Sequence, residues 1–281
     1  MKSVDPFKDL LHTEKPLQIV GVINALCALL AARAGFKAIY LSGAGVANAD
    51  FGLPDIGLTS LSEVAEQTRR IVSVTALPLL VDADTGWGDH ASAIARTITV
   101  LERAGAAGLH LEDQVWPKRC GHLAGKHIIS KAMMVDKIKA AVDSCQRKGF
   151  HLMIRTDALA VEGESKTLER IQAYVEAGAS SIFLEGVSRL ETYSTFVHKI
   201  SVPVLANLTE FGKTPLFTIK EMEQTGVSML LYPLSAFRMM NQAAEKTYAV
   251  IRQQGSQQLI IKDMQTRQSL YDLLDYESNL P

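Results

Sequence analysis

Residues 33–43 read RAGFKAIYLSG, and the phrase returns three times: RAG ahead of GLHLED at 103–113, EAG ahead of SIFLEG at 176–186, and QTG ahead of SMLLYP at 224–233. Each copy puts a glycine where a helix needs left-handed backbone just past its last turn. A short apolar run follows, suited to a strand covered on both faces. The repeating unit is therefore helix, loop, strand.

Four apolar runs lack the phrase: LQIVGVI from Leu17, PLLVDAD from Pro78, HLMIRTD from His151 and VPVLANLT from Val202. They bring the strands to eight. Stretches of helical period fill the gaps: Ser62 to Val72, Ala91 to Ala104, Met133 to Arg147, Lys166 to Ala177 and Ser235 to Arg252. Strict alternation with short loops predicts an α/β chain closed as a (β/α)8 barrel of the TIM type. An open doubly wound sheet is the alternative, but Gly21-Val22-Ile23-Asn24 is not the glycine-rich fingerprint such a sheet usually carries after its first strand. The 281 residues suit one barrel domain, and no Pro/Gly/Ser-rich linker divides them. We expect a short leader over 1–16 and a helical tail over about 255–281. The tail's apolar positions, Leu259, Ile260, Ile261, Met264, Leu270, Leu273 and Leu274, have no obvious place on a finished barrel. Packing against a neighbouring subunit and a lid over the chain's own barrel are both open.

Lysine and arginine number 29 against 30 acids, giving a net charge of −1 with the cations scattered. No field gathers nucleic acid or anionic lipid, so neither is expected as a partner. No long uninterrupted apolar run occurs and the first residues are polar, so neither a membrane span nor a secretion signal is expected, and the cytoplasm is the expected location. Cys27, Cys120 and Cys145 are too dispersed for a disulfide framework or a zinc site and are read as thiols.

In a barrel of this kind the chemistry sits at the carboxyl ends of the strands. Those ends read Tyr40-Leu41-Ser42-Gly43, Asp82-Ala83-Asp84, Glu112-Asp113, Arg155-Thr156-Asp157, Glu185-Gly186, Asn207-Leu208-Thr209 and Tyr232-Pro233, with Arg238 after the eighth. Several carboxylates buried together cost several kcal/mol per unpaired ion, so a cation or charged ligand must compensate. Asp82 and Asp84, two apart on a strand, share a face, and Glu112 ends the next strand. Hard oxygen ligands suit Mg2+ or Mn2+. Alternatively, one acid caps a helix and the others pair with Arg155, Lys118 or Arg119.

The guanidinium forks of Arg155 and Arg238 match substrate carboxylates, although Arg155 could instead bridge Asp157 or Glu185. Ser42-Gly43-Ala44-Gly45 offers backbone N–H groups to an anion, or is simply a tight turn. Lys118-Arg119-Cys120-Gly121-His122 occupies the longest loop, and cations beside a thiol lower its pKa, making a thiolate or a ready proton donor; alternatively the loop is simply basic and solvated, and its Cys incidental. No strand ends in the lysine a Schiff-base aldolase needs. No glycine-rich turns follow strands seven and eight, as a phosphate-binding barrel would require. Metal-assisted chemistry on a small polycarboxylate remains, and the parts suit aldol-type carbon–carbon cleavage.

The K-R-C-G-H loop at 118–122, D-A-D at 82–84, H-L-E-D-Q at 110–114 and N-L-T-E-F-G at 207–212 resemble the isocitrate lyase and phosphoenolpyruvate mutase superfamily, from about Leu17 to Arg267. Within it the match is nearest to the branch that splits 2-methylisocitrate into pyruvate and succinate in the methylcitrate cycle of propionate oxidation. The resemblance implies a Mg2+-dependent barrel, usually a homotetramer, whose terminal helix is exchanged between subunits. It makes Asp82 and Asp84 metal-site ligands, directly or through water, with Glu112 nearby. Ser42, Gly43 and Ala44 would hold the carboxylate of the pyruvate half, while Arg155 and Glu185 line the pocket. Asn207, Leu208, Thr209, Arg238 and Arg267, with Gly121 and His122, would take the succinate half. Cys120 would be the general acid that protonates the succinate carbanion, Tyr40 would sit close to the cleaved bond, and Asp55 would be a further pocket acid.

The chain departs modestly from the family. Ala44 stands where a third glycine is common, narrowing the anion turn, and the end at Pro281 implies a short exchanged helix. Leu231 and Pro233 replace the bulkier aromatic and the threonine of isocitrate lyases, which favours the methylated substrate. Isocitrate or 2,3-dimethylmalate cleavage is the alternative within the superfamily. A barrel that binds dicarboxylates without turnover is the alternative outside enzymology.

Overall fold

The computed structural model describes residues 5–119, 121 and 125–279. Eight parallel strands, β1 (Leu17–Gly21), β2 (Ala38–Leu41), β3 (Leu79–Asp82), β4 (Gly108–Glu112), β5 (His151–Thr156), β6 (Ser181–Leu184), β7 (Val204–Asn207) and β8 (Met229–Tyr232), close into a barrel, with β8 pairing back onto β1. The helices are α1 (Pro6–Thr13), α2 (Ala25–Arg33), α3 (Gly43–Phe51), α4 (Leu61–Val72), α5 (Ala91–Arg103), α6 (Lys131–Ser144), α7 (Leu159–Glu176), α8 (Leu190–Lys199), α9 (Ile219–Gln224), α10 (Ser235–Gln254) and α11 (Arg267–Leu273). This is the predicted (β/α)8 fold. The four phrase glycines sit just past α2, α5, α7 and α9 with φ of 92° at Gly35, 98° at Gly105, 114° at Gly178 and 78° at Gly226, the left-handed backbone expected there. Among the described residues no helix is long and apolar enough to cross a membrane.

Alternation along the strands makes two cores. Ile39, Leu41, Leu79, Val81, Leu109, Leu111, Ile154, Ile182 and Leu184 face outward under the helices. Leu17, Ile19, Tyr40, Leu80, Met153, Phe183, Leu205, Met229 and Leu231 fill the barrel. Gly21 continues the inward series at the mouth, where a Cβ would stand 1.7 Å from the Pro233 carbonyl oxygen, so only glycine lets β1 run this close to the segment after β8.

The expected leader contains a helix. In α1, Phe7 and Leu11 are buried one turn apart and join the barrel-filling core, closing the end opposite the mouth. Asp5 caps it. One carboxylate oxygen accepts from the Phe7 and Lys8 N–H groups at 3.0 and 3.2 Å, and the other lies 2.9 Å from His151 Nδ1. Burial works against the Asp5 charge, but His151 and the two N–H groups outweigh it and hold the carboxyl below its usual 3.8. A group with a depressed folded pKa stabilises above its unfolded value and loses that contribution as pH falls through the folded one. Asp5→Ala is therefore expected to cost about 1 kcal/mol at pH 7, typical of a lost N-cap. The gap between the two urea unfolding curves should shrink as pH falls below that ordinary carboxyl value.

In the tail, α11 lies beside α2 of the same chain, with Arg33 Nη1 donating to the Ser269 carbonyl at 3.4 Å. No side chain of α10 is fully buried.

Candidate active site

The inward positions that continue above the last apolar layer are polar. Ser42 follows β2, Asp82 and Glu112 end β3 and β4, Arg155 nears the end of β5, Glu185 follows β6, and Asn207 ends β7. All of these but Glu112 line a cavity of about 220 Å³, closed further by Tyr40, Ala44, Asp55, Lys118, Gly121, Phe183, Thr209, Leu231, Pro233 and Arg238. A larger cleft of about 540 Å³ lies at the opposite end, beside α1, where Lys8, His12, Lys15 and Glu223 are not joined by any strand-end side chain.

Asp82 closes β3, but Asp84 is off the strand, in a turn with φ of 43°, rather than on the same strand face as expected. The turn still brings the two carboxylates together. The Asp84 N–H donates to Asp82 Oδ1 at 3.1 Å and the Gly43 N–H to Asp82 Oδ2 at 2.9 Å. A Cβ at Gly43 would stand 3.2 Å from Asp82 Oδ2 and 3.4 Å from Asp84 Oδ1, so both carboxylates flank one point at the start of α3. Gly43 thus gives its N–H to Asp82, while Ser42 and Ala44 line the cavity.

Burial alone would raise Asp82, yet His110, Lys118 and Arg155 pull it down to about 2. For Asp84 burial prevails, aided by repulsion from Asp82 and Asp55 and opposed by Lys118, and the carboxyl rises to about 6. Burial also pushes Glu112 well above the carboxylate range against the pull of Arg155 and Lys118, and its Oε1 has no hydrogen-bond partner among the described residues. Burial lowers His110 to about 4, so its ring is neutral near pH 7. That ring stacks on Tyr40 at 5.7 Å, with Nε2 placed 2.9 Å from the Tyr40 hydroxyl and 3.4 Å from Asp82 Oδ1. Burial, then the Asp82 charge, keeps the Tyr40 hydroxyl protonated.

The cations are already engaged. Lys118 pairs with Asp55 and, at 2.9 Å, with Asp84. Arg155 reaches Asp157 at 3.0 Å, Glu185 at 3.3 Å and Glu112 at 3.4 Å. Lys126 meets Asp157 at 2.6 Å. Arg238, at the rim, lies 3.5 Å from Glu210 with its guanidinium over Phe211. The pairings weighed from the sequence for Lys118 and Arg155 therefore exist, but Asp55, Asp82, Asp84, Glu112, Asp157 and Glu185 outnumber Lys118, Lys126 and Arg155. A surplus of buried carboxylates, an orphaned glutamate oxygen and an all-oxygen donor set fit a hard divalent cation at Asp82 and Asp84. Among the described residues no three His, Cys, Asp or Glu side chains form a ready cage.

Two expected residues stand elsewhere. Leu208 is one position out of step with Asn207 and Thr209, so it faces the helices and packs in the outer core. Arg267 opens α11 beside α2 and is not among the cavity-lining residues. Asp113 is likewise out of step with Glu112 and bonds Thr156 at 2.7 Å and Tyr174 at 3.0 Å, a structural role. Cys120 and His122 lie outside the described residues. Sequence reading overlooked His110, although strand alternation from Glu112 points to it, and Lys126, whose partner is 31 residues away.

Residues 7–252 match the profile of the family described as phosphoenolpyruvate phosphomutase. The 2-methylisocitrate lyase of Escherichia coli strain K12 is 56% identical over 270 residues, covering 96% of this chain and 91% of that one. Among solved structures, 2,3-dimethylmalate lyase, described as a PEP mutase/isocitrate lyase superfamily member, superposes with a TM-score of 0.89 at 31% identity, over 98% of this chain and 94% of that one. Phosphonopyruvate hydrolase, in a complex with oxalate and Mg2+, gives 0.86 at 26% identity over 99% and 96%. With the profile matched along most of its length and a barrel mouth of this construction, the chain belongs to the phosphoenolpyruvate phosphomutase family, within the isocitrate lyase superfamily.

Proposed function

We propose that this protein is a carbon–carbon lyase that cleaves 2-methylisocitrate to pyruvate and succinate, the cleavage step of a methylcitrate cycle, with Mg2+ as its metal and Mn2+ as a substitute. The observation that carries this reading is the convergence of Asp82 and Asp84 beside Gly43, with Asp82 lining a cavity that also holds Arg155 and Tyr40. A bound divalent ion there supplies positive charge opposite the oxygen that becomes anionic. The chain's own side chains do the rest. Ser42 and Ala44 receive one carboxylate at the start of α3, and Arg155, Asn207, Thr209 and Arg238 face the other end of the substrate. Asp55 and Glu185 hold Lys118 and Arg155 in place. His110 orients the Tyr40 hydroxyl toward the reacting bond. As the hydroxyl proton passes to solvent and the carbon–carbon bond breaks, the pyruvate carbonyl forms and the electron pair of the broken bond passes to the succinate carbon, which takes a proton from Cys120. The thiolate then regains a proton from solvent, so the turnover is proton-neutral.

Phe183, Leu231 and Pro233 give the cavity an apolar wall on which the extra methyl rests. One methyl in such a pocket is worth about 1–3 kcal/mol. Coupled assays for pyruvate and glyoxylate are expected to give kcat/KM for 2-methylisocitrate about 10- to 200-fold above isocitrate, with 2,3-dimethylmalate also poorer. Preference for isocitrate would assign the other lyase activity. Tight succinate binding without turnover of any of the three would leave only a dicarboxylate-binding barrel.

A further inference from the structure

Both sides of position 120 are gripped from beneath by buried side chains that no step above uses. On one side, the Gln114 side chain, 1% exposed, donates from Nε2 to the Arg119 carbonyl at 2.9 Å and accepts the Arg119 N–H on Oε1 at 3.0 Å. On the other, the Lys126 ammonium donates to the Gly121 carbonyl at 2.5 Å and to Asp157 Oδ1 at 2.6 Å. Asp157 is itself fully buried and tied to Arg155 Nε at 3.0 Å and, through its N–H, to Asp113 at 2.9 Å. The legs of the loop are joined by the Gln114–Ile128 bridge and by the Val115 N–H bond to the His127 carbonyl at 2.8 Å. Gly121 has no room to retreat, because a Cβ there would stand 2.3 Å from Arg155 Nη2 and 2.6 Å from Glu185 Cγ.

We infer that Gln114 and Lys126 are positioning residues, a two-point clamp that sets the backbone at Arg119 and Gly121, the residues on either side of Cys120 in the sequence. The inference rests on Cys120 being the acid of the proposed reaction. A lysine whose only task was to neutralise Asp157 would be redundant with Arg155, which already pairs with that carboxylate. What Lys126 adds is the bond to the Gly121 carbonyl, and Gln114 supplies its counterpart at Arg119 without carrying any charge.

The test is a double-mutant cycle in the full chain with Mg2+, using Lys126→Met, Gln114→Met and Cys120→Ala. Misplacing a reacting group by about 1 Å costs up to roughly 100-fold. Lys126→Met and Gln114→Met are each expected to lower kcat about 10- to 100-fold while KM moves far less, and to add little when Cys120 is already alanine. A fall just as deep on the alanine background, or no fall in either single variant, overturns the inference. Should Cys120→Ala alone keep full turnover, the acid assignment fails first, and hydrogen exchange of the 115–127 amides judges the clamp by itself. Faster exchange in both variants supports it and unchanged exchange sinks it. Lys126→Met leaves Asp157 paired with Arg155, and if it nonetheless fails to fold, Gln114→Met carries the cycle alone.

Discussion

Asp82→Asn is expected to lower kcat/KM roughly 10³-fold, about 4 kcal/mol of lost transition-state stabilisation. The substitution preserves shape and leaves an oxygen to accept from Gly43 or Asp84, but removes the one carboxylate at the mouth held near pKa 2 and hence charged throughout the physiological range. Activity titrated with Mg2+ should shift to much higher concentration, and direct titration of the metal should weaken in step. The metal-free fold should lose some stability as well. A carboxyl held near 2 is favoured in its charged form by the native state, here through His110, Lys118 and Arg155, and relief of the repulsion on Asp84 offsets only part of that. The melting temperature of the metal-free variant should therefore fall at pH 7, and by less as pH drops below 3.8. A purely structural Asp82 predicts the lower melting temperature with metal dependence intact. The companion measurement uses the unaltered protein: chelator-treated enzyme should be idle and recover with Mg2+. Undiminished turnover after chelation would remove the metal from the account.

The barrel was legible because its signals are local. A glycine past a helix end and a run of apolar residues behind it need no distant partner to be read, and all four such phrases fall where the positive-φ glycines stand. The helix within the leader was not legible, because α1 hides Phe7 and Leu11 among charged neighbours in only eight residues, too short for a helical period to stand out. At the mouth, two-residue alternation is a sharper guide than the list of strand-end residues. It separates Glu112 from Asp113, sets Leu208 outside, and brings in His110, which the residue types alone did not suggest. Asp84 shows the opposite failure. Alternation paired it with Asp82 for the wrong reason, since a left-handed turn rather than a strand brings their oxygens together. Interactions that join distant segments, such as Lys126 with Asp157 or Lys118 with Asp55, leave no periodic trace, so the network that spends the cations could not be foreseen residue by residue.

Lys118, one of the cations beside Cys120 in the sequence, is engaged by Asp55 and Asp84. The role proposed for the thiol as acid has a specific expected consequence. Cys120→Ala should lower kcat by about 10²–10⁴, the usual contribution of a positioned general acid. It should lower kcat/KM by the same factor, because the proton is delivered after the substrate is bound. Mg2+ affinity and succinate binding should stay near wild type, which separates this variant from Asp82→Asn. Turnover in D2O offers a second readout. The unaltered enzyme should place one deuterium on a single face of the succinate carbon, whereas residual turnover in Cys120→Ala, protonated by solvent, should scramble the faces. Full rate with stereochemistry retained would transfer the role of acid to another group at the mouth, with Tyr40, held protonated beside Asp82 and His110, the first to examine.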